Sequence, residues 1–228
     1  MTRMFVVDGK PMKTWNPYTG CLFDCFYCWA RRLVLEKLQP QGKKYRDGFI
    51  PSFHPNELNR RFKPDDFAFV SDMGDITWAR HEWKVAIVER VSKFPNTKFL
   101  FQSKDTATFR SPLFNLPNIY LGTTIEANRD YSVGLAPPPF ARYQVLCSLE
   151  HAHKFISIEP IMDFDLEILV EWMRDIRPEI IEVGADNYNS NLPEPDWVKV
   201  EALLGALREF VPRVVEKNGL ERLKGGNR

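Results

Sequence analysis

Short apolar segments alternate with longer amphipathic ones along most of this chain, and the alternation restricts its possible folds more than any other feature. The short segments are rich in β-branched and aromatic residues, as the strands of buried parallel sheets are. They lie at residues 67–71, 98–102, 119–125, 155–161 and 180–184. Neighbouring segments are about 20–35 residues apart, the length of a strand-plus-helix unit. With an extended segment near 12–16 as a first strand, the chain predicts six βα units.

The intervals between these strands carry apolar residues at three- to four-residue spacing, which predicts helices. The predicted helices lie directly after residue 28 and at 83–94, 106–116, 139–151, 166–176 and 197–207. A right-handed series of βα units forms either a doubly wound sheet or a barrel, complete or partial. In both, ligands bind at the carboxyl ends of the strands, so polar residues that follow the strands are the candidate site residues.

We predict a single domain over residues 1–228, because the chain contains no linker and no internal repeat. Its composition, 44% hydrophobic and 27% charged, is that of an ordinary globular protein. Residues 39–64 hold several prolines and glycines and predict a long irregular insertion, a kind of loop that is often functional. Residues 211–228 are predicted to form a short charged tail.

The net charge of +1 argues against a protein that holds nucleic acid by charge alone. A group of basic residues forms either a local binding patch or a solvated loop. Its members are Lys43, Lys44, Arg46, Arg60, Arg61 and Lys63. No apolar run approaches the ~18–20 residues that span a bilayer, and the first residues do not resemble a secretory signal. We therefore expect a cytoplasmic protein with no membrane partner and with reduced thiols.

Three of the four cysteines are clustered in the stretch TWNPYTGCLFDCFYCWARR. The spacing Cys21-x3-Cys25-x2-Cys28 suits three irons of an iron–sulfur cluster or a zinc ion, since thiolates bind both. A closed structural zinc site needs four ligands. Zinc would therefore require His54, Cys147 or another distant residue, whereas Cys147 by itself is interpreted as a buried helical thiol.

The cysteine spacing, with Tyr27 as an aromatic residue before the last cysteine, resembles the signature of the radical S-adenosylmethionine (radical SAM) superfamily. The stretches FVSDMGD, FLFQSKD, YLGTTIEAN, FISIEPIMD and IIEVGADN resemble strand ends of one of its groups. That group is a domain-of-unknown-function family of phages and many microbes (Gp37/Gp68-like), loosely allied to spore photoproduct lyase. The similarity covers most of residues 13–190.

The resemblance implies an α/β fold, a partial (β/α)6 TIM-like barrel that forms the radical SAM core. It implies that Cys21, Cys25 and Cys28 bind one 4Fe-4S cluster at the carboxyl-terminal mouth, where the fourth iron takes S-adenosylmethionine (SAM). Reduction by a donor such as flavodoxin or ferredoxin then cleaves SAM to methionine and a 5′-deoxyadenosyl radical, which abstracts hydrogen from a substrate.

Polar residues after the second and third strands are candidate SAM ligands. The superfamily usually carries Gly-Gly-Glu for the SAM amino group where this chain has Asp72 and Asp75. A carboxylate can still accept a hydrogen bond from an ammonium group, or it can cap a helix over 80–93. Lys104 would pair with the SAM carboxylate, or is otherwise a surface lysine.

Residues after the next two strands complete the candidate set. Thr124, Glu126 and Asn128 alternate along an extended chain, which predicts that they face one side, and the resemblance implies SAM ribose contacts there. Glu159 is a carboxylate within an apolar segment; the resemblance gives it a cofactor or substrate role, and the alternative is a structural ion pair. Tyr27 joins the expected cofactor site.

Asp186 and Asn187 end the last predicted strand and are candidates to face a substrate. The substrate is either a nucleic acid or a peptide or small metabolite. A reading of a different class is a non-enzymatic module that binds zinc or an iron–sulfur cluster and interacts with a partner.

Overall fold

A computed structural model describes residues 6–7 and 10–225 of the chain. Within this part the main sheet has seven strands, and all its neighbouring strands are parallel. The strands are β1 (Lys13–Trp15), β2 (Phe67–Val70), β3 (Lys98–Gln102), β4 (Ile119–Thr124), β5 (Lys154–Ile158), β6 (Ile180–Val183) and β7 (Arg213–Glu216).

The strands cross the sheet in chain order, from β1 at one edge to β7 at the other. A doubly wound sheet reverses its order at a switch point, so this sequential order is that of an opened barrel. The sheet curls into a half-barrel, and the predicted partial barrel is confirmed.

Strand β7 lies where the sequence predicted a charged tail. Val214 and Val215 supply β-branched residues, and the strand pairs in parallel with β6. The turn Leu220–Gly225 follows and buries Leu223. This segment is therefore part of the fold, and the half-barrel has one strand more than the six predicted.

Five α-helices of the described chain connect the strands, and none of its helices is long and apolar enough to cross a bilayer. They are α1 (Trp29–Leu33), α2 (His81–Ser92), α3 (Pro139–Ser148), α4 (Leu166–Ile176) and α5 (Trp197–Arg208). The helix predicted over 106–116 is instead two 3₁₀ turns, Thr106–Arg110 and Pro112–Phe114. A proline opens the second turn without an N–H to continue the first, and the Ser111 hydroxyl caps it.

The concave face of the sheet is apolar near the amino ends of its strands. Its buried cluster consists of strand residues and their neighbours, among them Phe67, Leu100, Tyr120, Phe155 and Ile180. Side chains alternate between the faces of a strand, so residues two positions further along share the concave face. On β3, β5 and β6 these are polar: Gln102, Ser157 and Glu182. The interior therefore becomes polar toward the carboxyl edge.

The insertion at 39–64 is tied to the first strand by hydrogen bonds and packing. The indole N–H of Trp15 donates to the Glu57 carbonyl over 2.9 Å and its ring packs on Phe62, and Lys44 Nζ donates to the Asn16 carbonyl, just after β1, over 2.7 Å. Ser52–Phe53 pairs with Tyr18–Thr19 in a small antiparallel sheet. These contacts place the insertion beside the loop that carries the cysteines.

Candidate functional site

Residues 20–28, the cysteine loop, begin at the carboxyl edge of the sheet just beyond β1. The Gly20 N–H donates to the Met73 carbonyl over 2.9 Å, in the loop after β2. The Phe26 N–H donates to the Val133 carbonyl over 3.1 Å, in the segment beyond β4. The segment beyond β4 passes close to the cysteine loop at Gly134, where a Cβ would lie 2.7 Å from a carbonyl oxygen of the loop. The loop is therefore fixed from two sides.

Each thiol of the cysteine loop has a hydrogen-bond donor nearby. The sulfur of Cys21 accepts from the backbone N–H two residues on, and that of Cys28 from the N–H three residues on, each over 3.4 Å. The Lys104 ammonium lies 3.6 Å from the sulfur of Cys25. Such donors stabilise thiolates that are bound to metal.

The three thiols lie near one another, with Cys25 buried and Cys21 and Cys28 partly exposed. Burial raises the pKa of both Cys21 and Cys28, and the charge of Cys25 raises each further. Among the described residues, no group of three His, Cys, Asp or Glu side chains is arranged to hold one metal ion. In a 4Fe-4S cluster each thiolate binds a different iron, so its ligands do not converge on one point. The donor set, three soft thiolates with N–H and ammonium donors, fits such a cluster.

His54 and Cys147, the distant residues considered for zinc, have other surroundings. The Nε2 atom of His54 lies 2.8 Å from the Thr19 hydroxyl, and burial with the nearby charge of Lys44 lowers its pKa to about 4. Cys147 is half-buried on α3 and packs against the helical core. Cys147 thus lies on a helix, as the sequence predicted, but its thiol is half-buried rather than buried.

A buried polar network lies beside Cys25. Lys104 Nζ lies 2.5 Å from Oε1 of Glu126, and the Tyr27 hydroxyl contacts both of these groups. On the other side of the carboxylate, Arg142 of α3 donates to Oε2 over 2.8 Å. The structure thus brings three predicted site residues together: Tyr27, Lys104 and Glu126.

Charges fix the protonation of this network. Burial alone would raise the pKa of Glu126, but Lys104 and Arg142 hold it at about 2. Burial and the Glu126 charge raise the pKa of Tyr27 well above its usual value, so the phenol stays protonated and donates to the carboxylate. Thr124 lies just before Glu126 in the chain, and its hydroxyl accepts from Gln102 over 2.9 Å.

Asn128 does not join this network. Its side chain exchanges two hydrogen bonds with Asp165, of 2.8 and 3.0 Å, at the start of α4. Strand β4 ends at Thr124, so the alternation expected from Thr124 to Asn128 does not extend that far. The structure gives Asn128 a role in the α4 connection.

Asp75 is buried and accepts three hydrogen bonds. The donors are the Ser103 hydroxyl at 2.6 Å and the backbone N–H groups of Lys104 at 2.9 Å and Thr77 at 3.0 Å. Asp75 caps the short 3₁₀ turn after it, whereas the N-cap of α2 is Arg80. Burial raises the pKa of Asp75 despite these donors, and its charge raises the pKa of the nearby Cys21 thiol.

Asp72 lies on the side of the insertion. Its carboxylate accepts from the side-chain amide of Asn16 over 2.6 Å. Burial raises the pKa of Asp72 to about 6, although Asn16 and Lys44 oppose the shift. The two predicted acids thus have different surroundings, and of the two Asp75 is the one that affects a cysteine of the loop.

A second polar cluster occupies the carboxyl ends of β5, β6 and the segment after β7. Glu159 forms an ion pair with Lys217, the alternative that the sequence left open. Glu182 is almost fully buried, and its Oε1 accepts from the Ser157 hydroxyl over 2.6 Å. Burial and the charge of Glu159 raise the pKa of Glu182 to about 8, against the opposing charge of Lys217. Gly184 leaves the space that Glu159 fills.

Sequence reasoning missed Arg142, Glu182 and Lys217. Glu182 had a signal, since a carboxylate inside the apolar stretch IIEVG is the pattern that drew attention to Glu159. Arg142 and Lys217 had none, because Arg142 lies within the helix predicted at 139–151 and Lys217 lies in the predicted tail.

Asp186 and Asn187 stabilise loops. The Asp186 carboxylate accepts from the N–H groups of Tyr188 and Ser190, and the Asn187 amide donates to the Asn218 carbonyl over 2.9 Å. Their side chains are therefore engaged within the chain.

The basic residues of the insertion are partly used within the fold. Lys44 pairs with Glu57, Arg60 donates to a backbone oxygen of β1, and Arg46 forms an exposed pair with Asp47. The side chain of Lys43 lies outside the described part. The local patch therefore has less free charge than its sequence suggests.

Comparison with known proteins finds a matching family and similar solved structures. The family model described as "Protein of unknown function (DUF5131)" matches residues 11–200. No curated protein matches the sequence significantly. A cysteine-to-alanine mutant of spore photoproduct lyase with dinucleoside spore photoproduct has a TM-score of 0.61 at 11% identity, over 87% of this chain and 74% of that chain. A tyrosine-to-phenylalanine mutant of the same lyase gives 0.62 at 12% identity, over 94% and 79%.

Proposed function

The chain belongs to the DUF5131 family of proteins of unknown function, and we propose that it is a radical SAM enzyme with one 4Fe-4S cluster bound by Cys21, Cys25 and Cys28. The proposal includes membership of the Gp37/Gp68-like group, a cytoplasmic location, and flavodoxin or ferredoxin as the electron donor. The half-barrel that resembles spore photoproduct lyase supports it.

The observation that carries the proposal is the grouping of three thiols at the carboxyl edge of a half-barrel, with the Lys104 ammonium 3.6 Å from Cys25. Ligands of such sheets bind at this edge. Three soft thiolates from the protein suit a four-iron cluster in which one iron stays open to a ligand from outside the chain. When bound, the cluster would supply the electron that cleaves SAM to methionine and a 5′-deoxyadenosyl radical.

The chain's own residues would position SAM beside the cysteine loop. We assign Glu126 and Tyr27 to the side of the mouth next to Cys25, because they connect to it through Lys104. Thr124 is assigned to the same side, because it ends β4 just before Glu126. Asp75 is assigned to the side of Cys21, where its carboxylate can accept from the SAM ammonium after one of its present donors moves.

The proposal leaves two of the predicted ligands, Asp72 and Asn128, out of the SAM contacts, because other side chains already hold them. Asp72 and Asn128 are hydrogen-bonded to Asn16 and Asp165. Glu159, paired with Lys217, is assigned to the substrate side of the mouth. We assign a nucleic acid as the substrate, which is supported by the structure of the lyase with dinucleoside spore photoproduct.

Anaerobic reconstitution with iron and sulfide tests the proposed activity. We expect a brown protein with about four irons per chain that forms 5′-deoxyadenosine from SAM under reductant. Replacement of Cys21, Cys25 or Cys28 by Ala should abolish both properties. Cys147→Ala is the matched control, because it removes a thiol on α3 and should change neither.

Two results would overturn the proposal. The first is a colourless protein that binds zinc and does not bind SAM, which would favour a non-enzymatic module. The second is iron binding that survives loss of a loop cysteine but not loss of Cys147.

Binding to short single- and double-stranded DNA and RNA, measured from low to physiological salt, tests the substrate class; no binding at low salt would favour a peptide or small metabolite.

A further inference from the structure

The Lys104 ammonium has three N–H donors, and the structure provides a partner for each. They are the sulfur of Cys25 at 3.6 Å, the Tyr27 hydroxyl, and Oε1 of Glu126 at 2.5 Å. The ammonium also lies 4.5 Å from the centre of the Tyr27 ring. Only 13% of the Lys104 side chain is exposed, so the charge is held in one place.

We propose that Lys104 tunes the cluster of the proposed enzyme by acting on one of its ligands. Its hydrogen bond and charge at the Cys25 sulfur raise the reduction potential of the cluster. This inference rests on the proposed function. It replaces the expected pairing of Lys104 with the SAM carboxylate, since a carboxylate would have to displace one of three existing partners.

The physical reason is electrostatic. A cluster bound by thiolates gains negative charge on reduction, and hydrogen bonds to its sulfurs favour the reduced form. A cation at this distance acts more strongly in a buried site than in water, because the surroundings screen it less. Loss of the Lys104 charge therefore makes reduction harder and the potential more negative.

Glu126 and Arg142 determine where the lysine stands. Arg142 is 2% exposed and fixes Oε2 of Glu126, and the other oxygen holds Lys104. The negative charge of Glu126 offsets part of the effect of Lys104 on the cluster. Glu126→Gln keeps an oxygen that can accept from Lys104 but removes the negative charge, so it is expected to shift the potential in the opposite direction, to more positive values.

The test is a redox titration of the reconstituted protein, followed by electron paramagnetic resonance. We expect Lys104→Met to shift the midpoint to a more negative potential, and Lys104→Gln, which keeps a neutral donor, to shift it less. Lys199→Met is the matched control, because Lys199 also forms an ion pair, with Asp163, and its ammonium also lies near an aromatic ring, that of Phe164. Its midpoint should equal that of the unmodified protein. Calorimetry with SAM is run on the same variants, because loss of a direct pairing with the SAM carboxylate would abolish SAM binding without changing the potential.

The outcomes separate this inference from the proposed function. If the unmodified protein assembles no cluster, the proposed function fails. If it does, and Lys104→Met has the midpoint of Lys199→Met, the role of Lys104 is overturned. Loss of SAM binding in Lys104→Met at an unchanged potential also overturns it. Should both lysine variants lose the cluster, Glu126→Gln decides, and a midpoint that does not become more positive refutes the inference.

Discussion

Arg142 donates to the carboxylate of Glu126 over 2.8 Å, and both side chains are almost fully buried. Arg142 comes from a helix outside the sheet, whereas Glu126 lies just beyond β4, so the pair joins the helical layer to the barrel mouth. Lys104 holds the other carboxylate oxygen. A buried carboxylate between two cations keeps its charge, and each cation depends on it for compensation.

Replacement of Arg142 by Met should destabilise the fold strongly. The change leaves Glu126 buried with one cation instead of two, and loss of one partner from a buried pair costs about 3–5 kcal/mol. Urea unfolding followed by circular dichroism measures the loss. Arg46→Met is the control, because Arg46 forms an exposed pair with Asp47, and such pairs contribute about 0–1 kcal/mol. Equal losses of unfolding free energy in the two variants would show that the buried pair contributes no more to stability than the exposed pair.

Glu182→Gln should weaken the pH dependence of stability. The pKa of Glu182 is raised in the folded chain from its ordinary value to about 8. Between these two values the unfolded chain binds fewer protons at this site, so stability falls as pH rises. In mildly acidic solution Glu182 is protonated and neutral in its buried position, which favours the folded chain. This contribution to the free energy of unfolding is lost as the pH approaches the pKa of the folded chain.

Urea unfolding from about pH 5 to pH 8 measures that effect. The unmodified protein should lose stability over this range, and the Gln variant, which cannot ionise, should lose less. Glu167→Gln is the control, because Glu167 lies in the first turn of α4 on the surface. An identical slope in the Glu182 variant and the unmodified protein would contradict the expected coupling.

The predictable part of the site is the part that follows strand ends in the sequence. Lys104 and Glu126 could be found because parallel strands deliver their carboxyl ends to one edge, and the cysteines because their spacing is specific. Arg142 could not, because its approach depends on how α3 packs. Alternation also fails beyond a strand end, which is why Asn128 turns to Asp165. In the fold, β7 was missed because charged residues flank its two valines.

Asn128→Ala should lower stability and leave SAM binding unchanged, although the sequence made this residue a candidate ligand. The Asn128 side chain satisfies the backbone N–H of Asp165, and a lost hydrogen bond of this kind costs about 1–3 kcal/mol when the group is left unpaired. Thermal unfolding and calorimetry with SAM measure the two quantities. Weaker SAM binding without loss of stability would restore Asn128 to the cofactor site.

Gly134→Ala should disturb the cysteine loop while the barrel remains folded. A Cβ at this position would lie 2.7 Å from the Phe23 carbonyl oxygen and 2.9 Å from the Cα of Cys25. Backbone atoms cannot move aside as a flexible side chain can, and overpacking of this kind costs about 1–3 kcal/mol. We expect fewer irons per chain after reconstitution, measured by iron analysis, with the far-ultraviolet circular dichroism spectrum nearly unchanged.

Gly205→Ala is the control, since nothing lies within 4 Å of a Cβ there. Gly205 is in the interior of α5, where alanine should stabilise the helix by about 0.5–1 kcal/mol. Full iron content in the Gly134 variant would mean that the loop can shift without loss of its ligand geometry.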